Sequence, residues 1–157
     1  MSLDQGDLKI LRTLQAGCNM SLKDVALETA QPVTTVHSKV KRLERLGVIK
    51  SYKAILDPAK LDISTTAFVL VSFAYRQPEA SKILSQRETA KEIGKFPEVQ
   101  EVHVITGDWD LLVKVRARDV NAVGKFIIDK LRTVRGVDRT LTCVVFHTEK
   151  ETSELSF

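Results

Sequence analysis

The densest group of chemically useful side chains lies between residues 33 and 53. Lys39, Lys41, Arg42, Arg45, Lys50 and Lys53 stand there against one acid, Glu44, a local net charge of +5. The hydroxyls of Thr34, Thr35 and Ser38 and the imidazole of His37 are interleaved with the first of these cations. Cations neutralise phosphates, and short polar side chains reach base edges, so this mixture points to double-stranded DNA. Thr34, Thr35, His37 and Ser38 are the candidates for bases. Lys41, Arg42 and Arg45 are the candidates for phosphate or guanine. Little else offers chemistry. Cys18 and Cys143 form neither a metal spacing nor a disulfide framework and read as small apolar fillers. His103 and His147 read as strand residues rather than metal ligands. Without a nucleophile and base pair, a phosphate loop or a metal cluster, no catalytic residue, metal or cofactor is expected.

The cations can act together only if an element places them on one face. Val36, Val40, Leu43 and Leu46 are spaced by four, three and three residues. At about 100° per residue they form one stripe of a helix over residues 33–46, stopped by Gly47. Thr34, Ser38, Lys41 and Arg45 fall opposite the stripe, His37 and Arg42 flank that side, and Lys39 lies nearer the core edge. Periodicity alone leaves a second reading open, a solvated basic face in which Lys41 and Arg45 pair with acids such as Glu44. Two shorter helices are expected upstream. Residues 3–15 carry Leu8, Ile10, Leu11 and Leu14 on one side, with Asp4 and Asp7 at the positive end of the helix dipole. Ser21 and Asp24 approximate a capping box for the next helix, which ends near residues 29–32. Two short helices with a tight turn, the second one basic outside, fit a helix-turn-helix.

Charge separates this segment from the rest. The chain has 157 residues and a formal net charge of +4, all of it within residues 1–60, while residues 61–157 are neutral. Residues 48–56 partly alternate and read as a linker strand ended by Asp57-Pro58. The remainder reads as strand (65–75), helix (about 79–95), strand (99–106), turn (107–110), strand (111–115), a helix capped by Asp119, and strand (137–147). That β-α-β-β-α-β order is the ferredoxin-like arrangement, one antiparallel sheet with two helices on one face. In the first strand Phe68 and Leu70 face away from Val69, Val71 and Phe73. A strand apolar on both faces needs cover on both, so at least a homodimer is expected. The fold class is therefore α+β: a three-helix helix-turn-helix domain (1–47), a linker (48–62) and a ferredoxin-like sensor domain (63–157). The longest apolar stretch, residues 67–74, is too short to cross a membrane. No basic-then-apolar leader follows Met1, so a cytoplasmic location is expected.

These elements and five motifs in order resemble the Lrp/AsnC family of feast/famine transcriptional regulators over nearly the whole chain. The motifs are LDQGDLKIL (3–11), KVKRLERLGVI (39–49), DPAKL (57–61), GDWDLL (107–112), and Arg135-Gly136-Val137 followed by Thr140 and Thr142. The sequence departs from the family at the turn, with Ala30 where Gly is usual and Pro32 where Ser is usual. A left-handed Ala30 would cost about 1 kcal/mol, and Pro32 offers no side-chain cap. The resemblance implies a regulator whose sensor domain binds a small amino acid between dimers that assemble further, to tetramers or octamers. It places the effector at Gly107, Asp108, Trp109 and Asp110, with Thr140 and Thr142 alongside. Asp108 and Asp110 would accept from an ammonium, and backbone N–H groups around Gly107 would take a carboxylate. A tight hairpin turn in which Asp110 only caps backbone is the competing reading of that loop. Two other functions remain open: a nonspecific architectural DNA-binding protein and a ferredoxin-like enzyme of amino-acid metabolism.

Overall fold

The computed structural model describes residues 2–74 and 85–157. It divides into two compact units, one of residues 1–56 with 151–157 and one of residues 57–150.

The first unit is built on α1 (Gln5–Ala16), α2 (Leu22–Thr29) and α3 (Val33–Arg45). Both early helices start in reciprocal capping boxes, Asp4 with Asp7 and Ser21 with Asp24. An acid at the third position can return the cap's N–H bond as Glu does, while sitting at the positive dipole end. Ala30 ends α2 in the left-handed region at φ 53°, as the turn requires. Pro32 precedes α3 without a side-chain cap. Ile10, Val25, Ala26, Val36, Val40 and Leu43 form the buried core. Leu46, expected on that stripe, is 45% exposed because α3 ends at Arg45 and the chain turns at Leu46 and Gly47. Residues 48–56 form no strand. This corrects the linker strand expected above: alternation suits a strand, but a strand also needs a ladder partner, and no partner is seen among the described residues.

The second unit contains β1 (Thr65–Phe73), α4 (Gln86–Ile93), β2 (Val99–Val104), β3 (Leu111–Ala117), α5 (Val120–Asp129) and β4 (Val137–Val144). The antiparallel sheet runs β2-β3-β1-β4, the ferredoxin-like order. The expected helix over 79–95 is shorter where it can be compared; its first part, with Ile83 and Leu84, lies outside the described residues, as does the expected strand end at Tyr75. The final strand stops at Val144 rather than 147. Ala67, Val69 and Val71 of β1 and Leu111, Val113 and Val115 of β3 line the inner face, packed with Ile93, Val123, Phe126 and Leu131. On α5, Val120 and Ile128 are apolar yet 57% and 64% exposed. On the other face Leu112, Leu70 and Leu141 stand in register across three strands, with Phe68 opposite Cys143 one pair along. Gly136 has φ 94°, and a Cβ there would lie 2.4 Å from the Phe73 ring. That close approach brings the start of β4 against β1. Among the described residues no helix is long and apolar enough to cross a membrane.

Candidate nucleic-acid interface and effector pocket

Helix α3 presents Thr34, His37, Ser38, Lys41 and Arg45 to solvent, with Thr35 half-buried beside them. The N-terminal half of the helix borders a shallow concavity of about 350 Å³ lined by Thr34, Thr35, Ser38, Lys39 and Arg42. The cations divide into two kinds. Arg45 makes no ion pair among the described residues, and Lys41 pairs only with Glu44 at 3.0 Å. Glu44 also accepts from the Tyr52 hydroxyl at 3.1 Å. These two donors hold its carboxyl below the usual range. Lys39 and Arg42 turn back onto the acids that start α1. Arg42 lies 2.5 Å from Asp7 Oδ2, and Lys39 lies 3.0 Å from Asp7 Oδ1 and 2.5 Å from Asp4.

Asp7 is fully buried. Burial alone would push its carboxyl up. Hydrogen bonds from Arg42, the Asp4 backbone and Lys39 outweigh burial and hold it down at about 2. Arg42 is thus a positioning group for α3 as much as a free cation, its side chain still 38% exposed. Sequence periodicity missed this network because it assigns faces within a helix, not the acid of another helix that meets them. The two early acids were visible, but only as dipole partners.

The loop between β2 and β3 divides similarly. Gly107 and Asp108 are exposed, with Gly107 at φ 120°. Asp110 is turned into the fold. Its Oδ2 accepts the Phe73 N–H at 2.7 Å, its Oδ1 accepts from Gln86 Nε2 at 2.6 Å, and its own N–H donates to Val71. That is the turn-capping role weighed above beside the ammonium role. Trp109 instead borders a concavity of about 550 Å³ with Arg132, Asp138, Arg139, Thr140 and Leu141. This pocket lies along β4, an edge strand of the sheet. The Arg139 guanidinium lies 5.8 Å from the Trp109 ring centroid. Asp138 accepts from Ser72 Oγ at 3.2 Å and lies 3.8 Å from Arg139. Arg132 donates through Nε to Thr140 Oγ1 at 3.2 Å and has no ion pair among the described residues. Thr142 is half-buried and does not line the pocket.

Of the residues named for the effector, the structure therefore brings Trp109 and Thr140 together and sets Gly107, Asp108, Asp110 and Thr142 outside the pocket lining. Arg132, Asp138, Arg139 and Leu141 also line the pocket and were not among the residues named from the sequence. The charged pair at 138–139 beside Thr140 was the readable signal; Arg132 sits in a short turn (Leu131–Thr133) whose direction no pattern encodes. Among the described residues no His, Cys, Asp and Glu side chains are grouped to hold a metal.

Residues 3–50 match a family model described as winged helix-turn-helix DNA-binding, and residues 66–155 match the Lrp/AsnC ligand binding domain. An uncharacterized HTH-type transcriptional regulator of Pyrococcus abyssi is 41% identical over 95% of this chain and 96% of its own length. The HTH-type transcriptional regulator FL11 of Pyrococcus horikoshii is 35% identical over 98% of this chain and 95% of its own. A transcriptional regulator of Neisseria meningitidis, solved in complex with L-Met, superposes with a TM-score of 0.88 at 28% identity, covering 99% of this chain and 97% of that one.

Proposed function

The chain belongs to the Lrp/AsnC family of transcriptional regulators, and we propose that it reads a defined DNA site as a homo-oligomer under the control of a small amino acid. A helix-turn-helix implies DNA as a partner, and the ligand-binding domain implies a small-molecule effector. Relatives in this family are regulators, not enzymes.

The observation that carries the effector reading is the pocket along β4. A zwitterion needs a cation for its carboxylate and an acid for its ammonium, in one recess with an apolar wall. Arg132, without an ion pair among the described residues, supplies the cation, Asp138 the acid, and Trp109 and Leu141 the apolar surface. The L-Met complex of the Neisseria relative supports the same ligand class. On the DNA side, Thr34, Thr35, His37 and Ser38 approach bases at the start of α3, while Lys41 and Arg45 reach phosphates. A dimer would engage two half-sites about one turn or more apart.

The test is a thermal-shift screen of the twenty amino acids on the wild type and on Arg132→Ala, followed by footprinting on the protein's own promoter. One or a few amino acids should raise the melting temperature of the wild type and not of the variant, and protection should cover a defined site. Lys41→Ala with Arg45→Ala should weaken binding and flatten its salt dependence by about two units of slope. Protection with no defined site would favour an architectural binder, and an unchanged salt slope would remove these two cations from the interface.

A further inference from the structure

Residues 151–157 belong to the helix-turn-helix unit although they follow the last strand of the sheet unit. The sensor's chain, residues 57–150, is thus inserted within the reader's chain, and the two units are joined at two places. The second connection ends on α1. One side-chain amide grips the main chain there: Gln15 Oε1 accepts the Leu155 N–H at 2.8 Å, and Gln15 Nε2 donates to the Leu155 carbonyl at 3.1 Å. Arg12, three residues earlier and so on the same face of α1, donates to the Phe157 carbonyl oxygen through Nε at 2.9 Å and through a terminal nitrogen. Its guanidinium also lies 5.5 Å from the centroid of the Phe157 ring, within cation–π range.

The other end of α1 carries Asp4 and Asp7, which hold Lys39 and Arg42 of α3. Residues 145–150, which form no strand, join the segment to β4, whose Asp138, Arg139, Thr140 and Leu141 line the pocket. We propose that residues 151–157 are a strap: they clamp the outer face of α1, hold the reader to the sensor by a second tether, and pass the state of β4 through α1 to α3. The transmission half of this rests on the DNA reading above; the docking half does not. All the gripping groups are near the surface, so each contact is weak on its own. Tethering makes docking intramolecular, which keeps the strap on α1 while leaving it releasable. A reader held by one flexible connection could accept half-sites at many spacings, whereas closing a second connection restricts its reach.

The experiment compares the wild type, Arg12→Ala with Gln15→Ala, and a chain stopped after Lys150, each checked by circular dichroism. Hydrogen exchange read by mass spectrometry should show the peptide containing Leu155 exchanging at least tenfold faster in the double variant, with the α3 core unchanged. Gel shifts then use duplexes that the wild type selects from a randomised pool, at the selected half-site spacing and at one altered by half a turn. The wild type should discriminate between the spacings at least tenfold. Both variants should bind them within about threefold while keeping wild-type affinity for a single half-site. Equal exchange at Leu155 in wild type and variant overturns the strap. Wild-type discrimination retained by both variants overturns the transmission. A wild type that selects no duplex refutes the DNA reading instead, and the exchange result then decides the strap alone.

Discussion

The side chains that matter most to the reader divide their work by what they touch. Thr34, His37, Ser38 and Arg45 are exposed on α3, while Lys39 and Arg42 are held by acids of α1. The exposed set was legible in the sequence because a helix has one period and the apolar stripe defines its opposite face. The held set was not, because it depends on how two helices cross. Asp7 is the pivot and gives a pH-dependent prediction. Its carboxyl lies at about 2 in the fold against 3.8 for the free group. A depressed value means that the stabilisation is complete above about pH 4 and is lost as pH falls through 2. The shift corresponds to about 2 kcal/mol. Asp7→Asn should therefore lower stability in urea melts at pH 7 by about that much, and the gap from wild type should close as the pH is lowered from 4 toward 2. A gap that persists at pH 2 would mean that the loss comes from packing rather than charge. Ala at this position should cost more, about 3 kcal/mol, by leaving Lys39 and Arg42 without their buried partner.

Helices and the central strands were readable as elements, because burial imposes a period that survives in the residues. Two elements resisted for different physical reasons. Residues 48–56 alternate like a strand yet form none, since backbone pairing is not a local property. The 107–110 loop was legible as a turn, but whether Asp110 caps backbone or faces a ligand stayed open in the sequence. The side-chain direction of Asp110 is set by the Phe73 N–H and by Gln86, which are remote in sequence. Asp110→Ala should thus destabilise the ligand-free protein by about 2 kcal/mol. For a chain of this size that lowers Tm by roughly 6 °C. Differential scanning calorimetry without any amino acid present makes the distinction. A group that serves only the ligand would leave that melt unchanged and remove only the ligand's stabilisation.

At the scale of the whole molecule, the sheet is apolar on both faces. Its inner face is sealed by Ile93, Val123, Phe126 and Leu131, whereas Leu112, Leu70 and Leu141 form a row across the other with Leu141 47% exposed. The double-sided apolar character of β1 was visible from residues 68–73 alone, and it led to the expectation of a second copy. The proposed paired operator would use that copy too, since a recognition helix spans a single half-site and two linked helices bind with an effective concentration that one cannot reach. Leu70→Asp tests both statements together. The charge sits at the centre of the row, so it penalises a covered face heavily while costing a solvent-facing one little. Light scattering should show the wild type as an oligomer and the variant as a single chain with an unchanged circular dichroism spectrum. Affinity for a paired operator should fall at least tenfold, while affinity for an isolated half-site stays constant. If the variant keeps the wild-type mass, the row is not the assembly face. If it dissociates yet binds the paired operator as tightly as before, the two readers never acted as one unit.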